Sequence, residues 1–179
     1  ALLDEAGWLL PAGGKIRAKE GRPLSIDFCF VGNDASQKAL AEAVQAQFAR
    51  VGIHLNLLGE EEDSFFRRQR EGRFGIIVNN TWGPPFEPHA VIGSMRHPSH
   101  ADYMAQQGLP MKAELDAKIT AVLATRGEAE RRALYAEILT TLHEQAVYLP
   151  VCYFTLLEAH KKGRLEGVAF GPGRTQIPF

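Results

Sequence analysis

Three of the chain's 6 histidines, His89, His97 and His100, fall between positions 89 and 100, with Glu87 and Asp102 close by. Imidazole is a preferred ligand of borderline divalent ions such as Ni(II), Cu(II) and Zn(II), so the cluster invites a metal reading. Loop histidines standing in water are the plainer alternative, and it has weight because no His-x3-His helical pair is present. His100, in Pro98-Ser99-His100-Ala101-Asp102, has most freedom to reach outward and is the best single candidate. Just upstream, Trp82 and Phe86 flank Gly83-Pro84-Pro85. Rigid prolines can hold two aromatic faces as the apolar wall of a small-ligand pocket, although both rings would serve equally well in a core.

Other candidate chemistry dissolves on inspection. Gly13-Gly14-Lys15 follows no strand and lacks the upstream glycine of a phosphate loop. His143-Glu144 has Val147 where a zinc-protease helix needs its second histidine. No serine or cysteine has a nucleophile-elbow setting. The run Glu60, Glu61, Glu62, Asp63 reads as a solvated cap at the positive end of a helix, and Arg67, Arg68 and Arg70 suit its negative end. Cys29 and Cys152 are too far apart for a compact CxxC site; each lies in an apolar run and reads as a buried free thiol.

The elements that must position these residues follow from periodicity. Leu2 to Trp8 is a short helical stub, ended by a Pro- and Gly-containing loop. From Leu24 to Phe30, apolar residues alternate with Ser25, Asp27 and Cys29, the pattern of a strand with one buried face. Asp34 can cap the next helix, whose stripe is Leu40, Val44, Phe48 and Val51, and Gly52 closes it. Ile53 to Leu58 is a second strand. Asp63 is expected to cap a helix through Arg70, and Phe74 to Val78 reads as an interior strand. This β-α-β-α-β order predicts an α/β fold with a parallel sheet, flanking helices and a site beyond the carboxyl ends of the strands, where the loop 79–88 lies. Pro88 to Met95 is compatible with a short helix and Arg96 to Pro110 is irregular. Helices are expected at 112–125 and 128–146, the second with Leu134, Ile138 and Leu142 on one face, and a last apolar strand at 148–157. The Gly- and Pro-rich tail after His160 cannot hold a core alone and is expected to pack on something else.

The chain has 179 residues, 20 Lys+Arg against 21 Asp+Glu, and 45% hydrophobic residues. Balanced charge leaves no field to attract nucleic acid, and no stretch is long and apolar enough for a transmembrane helix. A chain of this size can build its core without a metal, so a bound ion would serve another purpose. The chain opens on Ala-Leu-Leu-Asp-Glu-Ala without an initiator Met, in what reads as the middle of a helix, which suggests a processed chain or a fragment.

Around the tryptophan and histidine loops the sequence resembles a known family. Thr81-Trp82-Gly83, Ser94-Met95-Arg96, Pro98-Ser99-His100-Ala101-Asp102, Ala105-Gln106-Gln107-Gly108 and Ala146-Val147-Tyr148-Leu149-Pro150 resemble extracellular solute-binding proteins of family 5, the peptide/nickel class, and its nickel-binding members in particular. So do Gly59-Glu60-Glu61-Glu62 and the stretch from Arg68 to Gly75, while the opening helix resembles the class as a whole. The resemblance covers nearly all of the chain; the Trp-Gly-x-Pro loop marks the class and the Pro-Ser-His-Ala-Asp loop is the more specific signal.

The resemblance implies a C-terminal lobe, residues 1–160, of a type II periplasmic-binding-protein-like fold, with residues 161–179 a returning tail that packs on the absent N-terminal lobe. It implies a monomeric periplasmic protein that captures nickel(II) already chelated by a small organic molecule, such as histidine, and delivers it to the membrane permease of an ABC importer. His100 matches the family's metal-ligating histidine, Trp82, Phe86 and Phe66 its stacking aromatics, and Thr175 a hydroxyl from the tail. Positions 66 and 86 depart from the nickel proteins' tyrosines, and Phe has no hydroxyl to bond a carboxylate. The arginines that grip the chelator's carboxylates in that family belong to the other lobe, so the isolated chain should fold yet bind weakly. Two alternatives stand beside this one: a peptide- or metallophore-binding protein of the same class, and a metal-dependent hydrolase using His89, His97 and His100 with Glu87 or Asp102 as base.

Overall fold

The computed structural model describes residues 2–81, 87–152 and 161, which divide after Asn79 into two units. The first opens with a single helical turn, α1 (Leu2–Glu5), and a small antiparallel hairpin of β1 (Ala18–Lys19) and β2 (Arg22–Pro23). Arg17 ties this entry segment down, donating to Asp4 Oδ1 and the Trp8 carbonyl at 2.7 Å each and to the Val51 carbonyl at 2.8 Å.

Strand β3 (Ser25–Val31) leads into α2 (Ala35–Arg50). Asp34 caps that helix as expected, its carboxylate accepting from the Ser36 and Gln37 amides at 2.9 and 3.0 Å. Gln37 then binds both ends of the join, donating to Asp34 Oδ2 and accepting from the Val31 amide, which fixes the helix to the strand it follows. The helix packs Ala41, Val44 and Phe48 against Phe28, Phe30 and Leu55. Val51, expected in the stripe, is instead the helix's C-cap and 49% exposed. The chain reverses at Gly52, whose φ of 81° suits glycine, and the reversal turns Val51 outward.

β4 (His54–Glu60) pairs parallel with β3 along its whole length, and after α3 (Glu62–Arg70) the short β5 (Ile76–Ile77) pairs parallel with β3 on its other side. The order is β4-β3-β5. Two right-handed crossovers run in opposite directions across the sheet, β3 to β4 through α2 and β4 back past β3 to β5 through α3, and so put α2 and α3 on opposite faces. Cys29, pointing away from the Phe28 and Phe30 side, is therefore as fully buried as they are, and β3 has no solvent face at that level. Among the described strands the interior position belongs to β3, not to the 74–78 segment, because the second crossover carries β5 to the edge. Asp63 does not cap α3: Glu61 holds that position without a side-chain bond, and Asp63 sits in the first turn, where its charge still meets the helix's positive end.

The described residues of the second unit form four helices: α4 (Pro88–Ser94), α5 (Ala101–Ala105), α6 (Lys112–Ala124) and α7 (Glu128–Glu144). α5 lies within a stretch expected to be irregular. A short connection at 125–127 joins α6 to α7, and Leu115, Ile119 and Val122 pack on Ile138 and Leu142, with Ile92 of α4 and its C-cap Met95 completing the core. Leu134, expected on the buried face of α7, packs at its margin. The expected strand at 148–157 is absent from its described part: residues 148–152 form none, and Leu149 and Val151 are exposed. Pro150 supplies no amide donor there. Cys152 is exposed rather than buried, while Cys29 is buried and free as expected. The expected boundary near 160 falls almost wholly outside the described residues. Among them no helix is long and apolar enough to cross a membrane.

Candidate functional site

The histidine cluster is built by α4 and the two turns after it. Pro88 starts the helix, where its missing amide costs nothing, and Ile92 and Met95 bury one side against the core. The other side presents His89, Ala90 and Gly93. These line an open concavity of about 690 Å³ together with Arg96, His97, His100 and Leu123. After α4 the His97 amide donates to the Ser94 carbonyl at 3.1 Å, and the His100 amide donates to the His97 carbonyl at 2.9 Å. That second bond closes a turn with Pro98 in its second position, the place proline's fixed φ favours. The two imidazoles are thereby held 5.2 Å apart, centroid to centroid, with planes inclined by 35°. His100 is half-buried and is the extended N-cap residue of α5, its carbonyl accepting from the Met104 amide. His89 lies 3.1 Å from the Tyr135 hydroxyl through Nδ1.

A polar cluster holds α5 in place beneath the turn. Asp102, in the first turn of α5, receives the Ser94 hydroxyl at 2.8 Å and the Tyr148 hydroxyl at 3.1 Å. Gln106, fully buried, donates to the Tyr148 oxygen at 3.2 Å, while its own Oε1 has no hydrogen-bond partner among the described residues. Burial, and next the Asp102 carboxylate, push the Tyr148 phenol above its ordinary pKa, so it is a neutral donor at physiological pH.

The structure thus brings His89, His97 and His100 to one concavity. Asp102 is engaged by Ser94 and Tyr148 and has a supporting rather than a basic role; Glu87 is the exposed N-cap of α4. Among the described residues no group of three or more His, Cys, Asp or Glu side chains is arranged to hold a metal ion, which leaves the hydrolase alternative without its ligand set there. Phe66 belongs to the first unit, on α3, 39% exposed and edge-on to Phe65 at 5.5 Å. Trp82, Phe86 and Thr175 lie outside the described residues. In the acidic run, Glu60 is not merely solvated: it closes β4 and takes a two-pronged ion pair from Arg68, which holds its carboxyl below the usual range. The sequence reading missed the pairing of His97 with His100 and the roles of Ser94, Gln106 and Tyr148. A signal for the pairing was present in Pro98, which favours a turn closing His97 onto His100.

The model of the bacterial extracellular solute-binding proteins, family 5 (middle part), matches residues 1–103. The whole chain is 51% identical to a nickel-binding periplasmic protein of Escherichia coli K12, but covers 34% of that protein's length. Among solved structures, NikA from Brucella suis in complex with Fe(III)-EDTA shares 59% identity and a TM-score of 0.80 over 83% of this chain and 30% of its own. NikZ from Campylobacter jejuni in complex with Ni(L-His) matches at a TM-score of 0.63 over 82% of this chain and 29% of its own, with 19% identity, a likeness of fold alone. The chain spans about a third of the curated relative it matches over its full length.

Proposed function

The chain belongs to the bacterial extracellular solute-binding proteins of family 5, with the α/β lobe of a type II periplasmic-binding-protein-like fold, and on that premise we propose that it is part of a periplasmic protein that captures nickel(II). A solute-binding family is not an enzyme family, which sets the hydrolase alternative aside. The metal is carried as a complex with a small organic chelator, histidine being one such molecule, and is passed to the permease of an ABC importer. His100 supplies the protein's imidazole. Phe66, Trp82 and Phe86 pack against the chelator, Thr175 offers it a hydroxyl, and an N-terminal lobe beyond this chain completes the site of a monomeric protein.

One observation carries this reading: His100 is held half-buried at the start of α5, on the wall of a concavity. The similarity to a protein named for nickel binding supports the choice of metal. A lone imidazole holds a divalent ion weakly, whereas a preformed chelate needs only one further ligand, an apolar wall and charge partners. Calorimetry with nickel and excess L-histidine tests the reading on the intact protein. His100→Ala should weaken binding at least about tenfold, since even outer-shell partners of metal ligands contribute that much. Unchanged binding would reject His100 as the ligand. A peptide or metallophore recovered from natively purified protein and identified by mass spectrometry would replace nickel-histidine as the cargo.

A further inference from the structure

We propose that His97 is a second protein ligand to the same metal, so that the His97-Pro98-Ser99-His100 turn offers a divalent late transition ion two imidazoles rather than one. The inference rests on the assignment of His100 above and specifies the coordination at that site.

The turn makes the pairing a property of the backbone. The hydrogen bond from the His100 amide to the His97 carbonyl, at 2.9 Å, joins the first and fourth residues of the turn. Such closure brings their Cα atoms within about 7 Å of each other. Pro98 fixes φ at the second position and lowers the entropy lost in holding the two histidines together. The rings stand 5.2 Å apart. Metal–nitrogen bonds of about 2.0–2.1 Å, with the ring centre about 1.1 Å beyond the nitrogen, put two imidazoles sharing one ion about 4.5–5.2 Å apart at right-angle to tetrahedral ligand angles. The observed spacing lies at the upper end of that window. Both rings border the same concavity, which also presents Arg96, a partner for a carboxylate-bearing chelator. Imidazole pairs suit nickel, copper and zinc. With two protein ligands the chelator can offer fewer donor atoms, which widens the range of complexes the site accepts.

Nickel nitrilotriacetate is a suitable probe, because its donors leave a pair of adjacent coordination positions open and it contains no imidazole. Binding to the intact protein and its His97→Gln and His100→Gln variants is measured by calorimetry, with imidazole ligands counted by X-ray absorption and retention of fold checked by circular dichroism. The proposal expects each variant to bind at least about tenfold more weakly than the parent, the loss known for weaker perturbations of metal sites, and each to lose one imidazole from the shell. If only His100→Gln weakens binding, the pair is refuted while His100 remains the ligand. If neither variant changes affinity or shell, or if the parent does not bind the probe, the proposal falls; unchanged affinity for nickel with histidine in His100→Gln would remove the underlying assignment as well.

Discussion

Tyr148→Phe removes one oxygen from the cluster that supports the His100 turn, and its cost can be worked from the surroundings. The hydroxyl donates to Asp102 Oδ1 and accepts from Gln106 Nε2. Exposure decides how the loss divides. Tyr148 is 37% exposed, so water can replace it at Asp102, which also keeps Ser94; that bond counts for about 0.5 kcal/mol. Gln106 is fully buried and already has a bare Oε1, so without Tyr148 its side-chain amide has no hydrogen-bond partner at either end among the described residues. A buried amide left unsatisfied costs about 1–3 kcal/mol. The expected destabilisation is about 2 kcal/mol, or about 4–8 °C in the thermal midpoint of a chain this size. Thermal and urea melts of the parent and variant measure it. The mechanism also dictates a rescue, because removing both partners with apolar replacements is far less costly than stranding one. Tyr148→Phe combined with Gln106→Leu should therefore be more stable than Tyr148→Phe alone. A single variant within about 0.5 kcal/mol of the parent, or a double variant showing simple additivity, would refute the argument.

Glu60→Gln should cost about 1 kcal/mol near neutral pH by breaking the pair with Arg68. Because Arg68 lowers the Glu60 pKa on folding, this contribution is present above the ordinary value of 4.5 and is lost as pH falls through the depressed one. The gap between parent and variant in urea melts should narrow as the pH is lowered below 4.5; a gap independent of pH contradicts the reasoning. Burial raises the Cys29 thiol to about 11 from 9.0, so it stays protonated and sealed while Cys152 is exposed. A thiol reagent near pH 8 should label Cys152 in the native protein and Cys29 only in denaturant, and rapid native labelling of both thiols would count against a sealed sheet. The raised folded pKa also means that Cys29 contributes stability below pH 9 that is lost between about 9 and 11, a loss that Cys29→Ala should remove from the pH profile. Gly75→Ala would place a Cβ 2.5 Å from Ile26 Cγ2 and 3.1 Å from the Asp27 carbonyl, and should destabilise the β3–β5 pairing by about 1–3 kcal/mol in denaturant melts. A neutral result would show that β5 can retreat from β3.

Much of the first unit was legible because its signals are local. Alternation over Leu24 to Phe30, the Asp34 cap and Gly52 each act within a few residues, and each lies in the structure where its chemistry requires. What failed depended on partners distant in sequence. Whether 74–78 sits inside or at the edge of a sheet is decided by the direction of a crossover, and neither is written in the segment itself. Glu60 read as solvent-facing because Arg68, 8 residues on, meets it only once the chain turns from β4 into α3. At the candidate site, residue types pointed to His100, but the pairing with His97 requires the turn, and Tyr148 joins α5 only through tertiary packing.

The parallel order β4-β3-β5 has a kinetic consequence. Closing β3 onto β5 joins Phe28 to Ile76 across an intervening helix, strand and helix, while α6 and α7 of the second unit, adjacent in the chain, pack on each other. Chain-closure entropy must be spent before non-local pairing returns anything, so local helical contacts form faster than parallel ladders. In refolding, amide protection should appear in α6 and α7 before β3. The first unit, which emerges before the second in synthesis, would then become ordered after it and would have the longer exposure to aggregation and proteolysis.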